Sequence, residues 1–493
     1  MPGGARLVLY AAALTAAVRV TIFLAVTLGR LTFPWEVEVL EGLSIDYAWT
    51  LLHGGNLYAP PSAHFAPNWY PPLHYVLSLP FLLLGGFSLP AARLVSITAV
   101  ALCVVLGLRF LRNAGAPWTG VLLFVAVLFA FYPATGYWYD LARVDSSATL
   151  LAFAGVVVLA GAGARPRPAL VVAGGVLLAL SVFAKQTNLA LALGALLFLL
   201  GSRDFDRLRL LATAQLATAL ALAAALWLLY GRDALIIVIQ PARHYFSLGW
   251  AGLFLGFAWP MLPAAGLAAL AARRAQAGPA RALKLLLTFF IFAFGMGLLA
   301  ACKLGGQPNS SMPAIFVVAL ALGLAAGPLL ERGRHRLLLV AQALLLLALP
   351  PWDFLEWIPS PLDRAEARQI LADMLEQPGS FLAYNASFVS TVHRGEMYPY
   401  WDRLYDWAGG QDARSPFRPD PARYPEDFLR LIRERHFRAV YTNAGDYLGD
   451  PVQRAIAAHY RPVFFWRSGM EPGVADKRWR HCVPRLKWLP RAP

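Results

Sequence analysis

PWEVEVLEGLSIDYAWTLLHGGNLYAPPSAHFAPNWYPPLHY, residues 34–75, separates two apolar runs, 7–28 and 73–89. From Leu31 to Pro72 there is no Lys or Arg, yet the stretch carries Glu36, Glu38, Glu41 and Asp46. Its length, about 40 residues, far exceeds a usual connection, and such loops are either functional or disordered. Richness in Trp, Tyr, Leu and Pro argues against disorder. A loop without cations between apolar spans belongs outside the cytoplasm, because cytoplasmic loops collect Lys and Arg. Within it, Glu41 opens a helical pattern through Leu43, Tyr47 and Leu51 that ends at Gly54-Gly55.

Outward from this loop, the chain is apolar. Of 493 residues, 58% are hydrophobic and 14% charged, against roughly 25% charged in soluble domains. That excludes a disordered chain, a single soluble enzyme domain and a nucleic-acid-binding module. Twelve apolar segments follow one another: 7–28, 73–89, 91–111, 118–137, 147–163, 169–184, 187–201, 208–230, 248–271, 284–302, 312–330 and 336–351. Reading 73–89, with Pro80 inside and Pro71-Pro72 before it, as an interfacial helix leaves eleven spans. Fifteen cations then fall inside: Arg6 and the clusters near 109–112, 165–167, 203–209, 273–284 and 332–336. Seven fall outside: Arg30, Arg93, Arg143, Lys185, Arg232, Arg243 and Lys303. The N-terminus is thus read as a retained, cytoplasmic signal anchor in the plasma membrane. Arg19 lies mid-span with its partner open. The net charge of +15 follows the same division, since 23 of the 43 Lys and Arg but only 10 of the 28 Asp and Glu precede Pro351.

Residues 352–493 are polar and mixed in period. An amphipathic helix at 362–376 precedes short apolar runs at 380–384, 437–442 and 462–466, with helical stretches at 425–436 and 450–459. The alternation predicts a small α/β domain, extracytoplasmic by span parity. It ends in a basic tail, Lys477, Arg478, Trp479, Arg480, Arg485, Lys487 and Trp488, read as solvated or touching headgroups, or as contacting an anionic lipid or glycan. The three cysteines form no disulfide or metal signature.

The candidate chemistry gathers on the outer side. Glu41 at a helix start can act as a general base, bind a cation, or simply complement the helix dipole. In YWYDLARVDSS, 137–147, Asp140, Arg143 and Asp145 lie just before a span. They either satisfy one another or offer Arg143 to a phosphate. Lys185, Arg243 with His244, and Lys303 are further outer basic groups that can neutralise a lipid-linked phosphate or reach towards headgroups. His53, His64 and His74 share the first loop with its carboxylates, but no metal-ligand spacing is diagnostic.

These patterns resemble the GT-C superfamily of integral-membrane glycosyltransferases, in particular its protein O-mannosyltransferase, aminoarabinose transferase and RgtA/B/C/D-like groups. The matching elements are Glu41, the helix to Gly54-Gly55, Asn56-Leu57-Tyr58, Tyr70-Pro71-Pro72-Leu73, Ala91-Ala92-Arg93-Leu94, Arg143 with Asp145, and Lys303, Gly305 and Asn309. They cover most of the membrane part. Where the family has an Asp-Glu pair in the first loop, this chain reads Leu40-Glu41, so either Glu41, the favoured base, or Glu38 or Glu36 takes the place of the family's catalytic Asp, or the loop is inactive. The resemblance implies sugar transfer with inversion from a polyprenyl-phosphate-linked donor to a glycan, lipid or protein acceptor on the outer face. It implies Glu41, Glu38 and Asp145 as catalytic candidates, and Arg143, Lys185, Lys303, Arg243, His244, Tyr70 and Asn309 as substrate contacts. A divalent metal is left open, since only part of the superfamily uses one. The main rival reading is a transporter or flippase of lipid-linked sugars, although no internal repeat of the kind transporters show is visible; a second is a non-catalytic membrane scaffold whose tail binds a partner, which the departure at Leu40 keeps open.

Overall fold

The computed structural model describes residues 3–162, 167–350, 354–383, 386–410, 418–442, 450–464, 484 and 486–492. The apolar segments are helices, the one open structure that satisfies every backbone N–H and C=O within its own segment. They are α1 (Gly3–Leu31), α2 (Glu41–Leu52), α3 (Leu73–Gly85), α4 (Leu89–Asn113), α5 (Trp118–Ala130), α6 (Val144–Gly161), α7 (Pro168–Ala184), α8 (Leu189–Gly201), α9 (Phe205–Tyr230), α10 (Arg232–Ile239), α11 (Ala251–Ala258), α12 (Met261–Ala272), α13 (Ala277–Ala301), α14 (Met312–Leu330) and α15 (Gly333–Ala348). Seven are long and apolar enough to cross a membrane: α1, α4, α5 extended to Thr135, α6, α9, α13, and α14 extended back to Pro308. The sequence count of eleven adds α7, α8, α15 and the segment 248–271.

That last segment is not one straight helix. It breaks at Trp259-Pro260, and its two halves turn through 67°. Pro260 lacks the N–H that would continue the ladder, and its ring crowds the preceding turn. Helix α3 is also shorter than the apolar run that contains it. At 13 residues it is about 20 Å long, short of the roughly 30 Å hydrocarbon core.

Helix α14 is the axis of the bundle, with most of its residues buried against α5, α12 and α13. Gly120 on α5 faces the carbonyl of Gly323 on α14 so closely that a Cβ at 120 would collide with it, the small-residue approach that lets apolar helices pack backbone to backbone. Arg19, open in the sequence, is fully buried and donates to the carbonyls of Leu346, Leu347 and Leu349 at the C-terminal end of α15. Those carbonyls have no intrahelical donor, so the guanidinium and the helix end satisfy each other.

The chain then forms α16 (Pro361–Glu376), α17 (Ser387–Arg394), α18 (Trp401–Trp407), α19 (Glu426–Arg433) and α20 (Pro451–His459), around a sheet of β1 (Phe381–Ala383), β2 (Ala439–Thr442), β3 (Tyr460–Phe464) and β4 (Leu486–Pro490). The strand order is β1-β2-β4-β3, parallel between β1 and β2 and antiparallel elsewhere. Ser360 and Asp363 close a reciprocal capping box at the start of α16. One expectation is corrected here. Lys487 and Trp488 are not tail residues: they sit in β4, where Lys487 pairs with Asp373 at 2.8 Å and the Trp488 indole donates to Thr442. The other named tail residues, 477–480 and 485, lie outside the described residues, as does Arg165.

The C-terminal elements rest on the first loop. Ser387 donates to Asp46, Tyr400 donates to Glu36, and Ala63 N donates to Asp427 at 2.8 Å. A second apolar cluster joins Ala63 and Ala66 of the loop to Tyr398, Trp401, Leu404 and Phe428. The loop is therefore held between the bundle and the C-terminal unit, on what is called here the loop face.

Candidate active site

Two buried ion pairs fix the base of the loop. Arg93, in the first turns of α4, reaches both oxygens of Glu41 at 3.0 and 2.8 Å, and gives its remaining donors to the carbonyls of Arg30, Phe33 and Trp35. Glu41 also accepts from Val37 N at 2.6 Å and Ala142 N at 2.9 Å. Burial opposes its ionisation, but Arg93 and these amides outweigh burial and hold its carboxyl below the usual range. Arg30, at the end of α1, pairs with Asp140 at 2.5 Å and bonds Tyr132. The first pair ties the first loop to α4 and the second ties α1 to the second loop, while the Ala142 N–H bond to Glu41 joins the two loops.

Glu38 is placed differently. Its side chain is 17% exposed and faces Arg143 at 3.3 Å. It accepts a hydrogen bond only from Leu40 N, at 3.1 Å, among the described residues. Burial raises its carboxyl above the usual range, against the pull of Arg143. Arg143 stands just before α6, with its guanidinium 5.9 Å from the Trp138 ring. Its buried Nε has no hydrogen-bond partner among the described residues. It lines a small cavity with Tyr47, Asn68, Tyr70, Tyr75 and Arg403, closed on its apolar side by Leu40, Leu43 and Val144. Asn68 orders this wall: its side chain donates to Tyr70 O at 2.5 Å and accepts from Tyr75 Oη at 3.0 Å.

Asp145, Lys185 and Asn309 meet behind it. Asp145 accepts from Lys185, from Asn309 Nδ2 at 2.9 Å and from the Trp138 indole at 2.9 Å. Both carboxylate oxygens thus accept hydrogen bonds. His74 bonds Ser147 at 2.8 Å with one ring nitrogen, and burial pulls it down to about 3, which keeps it neutral.

Lys303 is not in this cluster. It donates to Pro241 O at 3.2 Å and lines a cleft of about 970 Å³ walled by Tyr137, Trp250, Phe254, Phe257, Leu349 and Trp357, with Gln307 as a further polar group. Pro308 borders that cleft and its neighbour Asn309 reaches Asp145, so cleft and polar cluster adjoin. Arg243 is exposed, while the His244 ring lies 4.8 Å from Trp69. The three first-loop histidines do not converge: His53 bonds Trp49 O, His64 bonds Met397 O, and His74 is buried on Ser147. Among the described residues no three His, Cys, Asp or Glu side chains group to hold a metal.

Sequence reasoning did not find Arg403, because its cavity neighbours lie more than 250 positions away. Nor did it find the bond between Arg93 and Glu41, although both residues stood in the motifs read there.

No protein-family model matches the chain, and no curated protein does. Solved structures do. ArnT from Cupriavidus metallidurans in the apo state aligns at TM-score 0.62 with 14% identity, over 96% of this chain and 97% of that one. The same protein bound to undecaprenyl phosphate aligns at 0.61 with 12% identity, over the same shares. The Archaeoglobus fulgidus oligosaccharyltransferase in complex with Zn and sulfate aligns at 0.50 with 12% identity, over 92% of this chain and 72% of that one. At such identities what is shared is the path of the chain, and function has to be argued from the site. The loop-bearing bundle and the small sheet docked on it follow the same fold as ArnT and the archaeal oligosaccharyltransferase.

Proposed function

We propose that this protein transfers a sugar from a polyprenyl-phosphate-linked donor to an acceptor hydroxyl at the loop face. We place that face outside the cytoplasmic membrane, with the N-terminus cytoplasmic, eleven spans and the C-terminal unit extracytoplasmic. The observation that carries the reading is Glu38 beside Arg143: a partly exposed carboxylate lies 3.3 Å from a guanidinium that lines a cavity and whose Nε has no hydrogen-bond partner among the described residues. The fold shared with ArnT, one of whose structures holds undecaprenyl phosphate, supports the choice of donor.

The first-loop carboxylates divide the work by their bonding. Glu41 has both oxygens occupied by Arg93 and two amides, so it positions the loop. Glu36 is fully buried under Tyr400. Glu38 is left to act as the base, and its raised carboxyl suits proton transfer near neutral pH. The acceptor O–H gives its proton to Glu38 while its oxygen bonds the anomeric carbon. The bond from that carbon to the phosphate oxygen breaks, and polyprenyl phosphate departs with the electron pair. One displacement inverts the anomeric centre, through an oxocarbenium-like transition state. Arg143 contacts the phosphate, Asp145 holds Lys185 next to it, and the apolar cleft takes a lipid chain.

Native mass spectrometry of gently purified protein tests this. A polyprenyl-phosphate species is expected on the wild type and absent from an Arg143→Ala variant. Retention by both proteins would refute the assignment of Arg143.

A further inference from the structure

We infer that Arg403, carried by the C-terminal unit, is the second arm of an anion clamp whose first arm is Arg143, and that the lipid phosphate is bound between them. The inference rests on the donor reading above and adds a residue from a different part of the chain. Arg403 is 7% exposed and lines the same cavity as Arg143. A guanidinium presents five N–H donors in a fixed fork. Among the described residues Arg403 uses one of them, towards Asp406 at 3.4 Å, and it rests 5.4 Å from the Trp69 ring. Among the described residues Arg143 has one carboxylate contact, and its buried Nε has no hydrogen-bond partner.

Each guanidinium has one carboxylate, at 3.3 and 3.4 Å, which leaves further donors of both, among the described residues, open to an anion in the cavity they share. A phosphate matches these donors in kind, because its oxygens pair with guanidinium forks. The cavity also suits the way charge changes during transfer. The donor is a phosphodiester with one negative charge, and the departing polyprenyl phosphate gains a second as the C–O bond breaks. A second arginine therefore stabilises the transition state and product more than the donor, which is the condition for lowering a barrier. On this account the C-terminal unit completes the site, and its docking through Ser387 and Tyr400 places Arg403 opposite Arg143.

The test compares two probes, undecaprenyl phosphate and undecaprenol, binding to the full-length chain in detergent micelles. The readout is the ratio of their affinities, which a general loss of folding does not mimic. Wild type should prefer the phosphate. Arg403→Gln should lose about tenfold or more of that preference, the scale of charge-assisted hydrogen bonds, while binding undecaprenol as before. Arg403→Lys should keep part of it, retaining charge without the fork. If Arg403→Gln keeps the full preference while Arg143→Gln loses it, the donor reading stands and the clamp is refuted. If Arg403→Gln weakens both lipids equally, Arg403 is structural and the clamp is again refuted. A wild type without preference for the phosphate overturns the clamp and the donor reading together.

Discussion

Asp46→Asn should stabilise the protein at neutral pH and leave it unchanged near pH 4. Asp46 lies on α2 at 2% exposure, where one oxygen accepts from Ser387 and the other has no partner among the described residues. Burial pushes its carboxyl up to about 7, against the hydroxyls of Ser387 and Thr391. A raised acid is neutral in the folded chain where the unfolded chain already ionises, so folding is penalised progressively as pH rises from about 4 to about 7. From 3.8 to about 7, at 1.36 kcal/mol per pH unit, the full penalty is about 4 kcal/mol. Asn reproduces the neutral side chain and removes the penalty. Melting followed by tryptophan fluorescence at pH 4 to 8.5 should show no gap between the proteins at pH 4. The gap should widen to pH 7 and stay constant above. A gap that is the same at every pH, or a wild type that gains on the variant as pH rises, would refute the reasoning, since the latter requires an ion-paired aspartate.

Glu41→Gln places an amide NH2 against donors of Arg93 and Val37, and breaking such a buried pair costs about 3–5 kcal/mol. A lowered melting temperature, absent in Glu38→Gln, is the expected outcome. Gly42→Ala puts a Cβ into Glu36, Tyr400 and Phe388. It should cost about 1–3 kcal/mol of stability and expose the C-terminal unit to limited proteolysis at concentrations that spare wild type.

The outline of the bundle was legible because apolar runs report their own burial. The first-loop helix was equally so: it starts at Glu41 and stops before Gly54, whose φ of +70° reverses the chain. The break at Pro260 carried a signal that the unbroken hydropathy of 248–271 obscured. β4 was read as a basic tail because Lys487 and Trp488 look solvated until Asp373 and Thr442 are beside them. The site was half legible. Asp145, Lys185 and Asn309 were each named and do meet, but periodicity says nothing of the 164 positions between Asp145 and Asn309. Glu41 drew attention as the residue at the motif position, yet its helix-start placement is used for structure. Its pairing with Arg93 and its bonds from Val37 N and Ala142 N separate it from Glu38, and a pairing across 52 positions is a property of the fold.

The central claim is that Glu38 takes the acceptor's proton in a glycosyl transfer that releases polyprenyl phosphate. It is tested most directly by quantifying that lipid by mass spectrometry after the purified protein, returned to membranes supplying donor and acceptor, has turned over. Glu38→Gln of unchanged melting temperature should release it about 10²–10⁴-fold more slowly than wild type. Release at the wild-type rate by that variant would contradict the account.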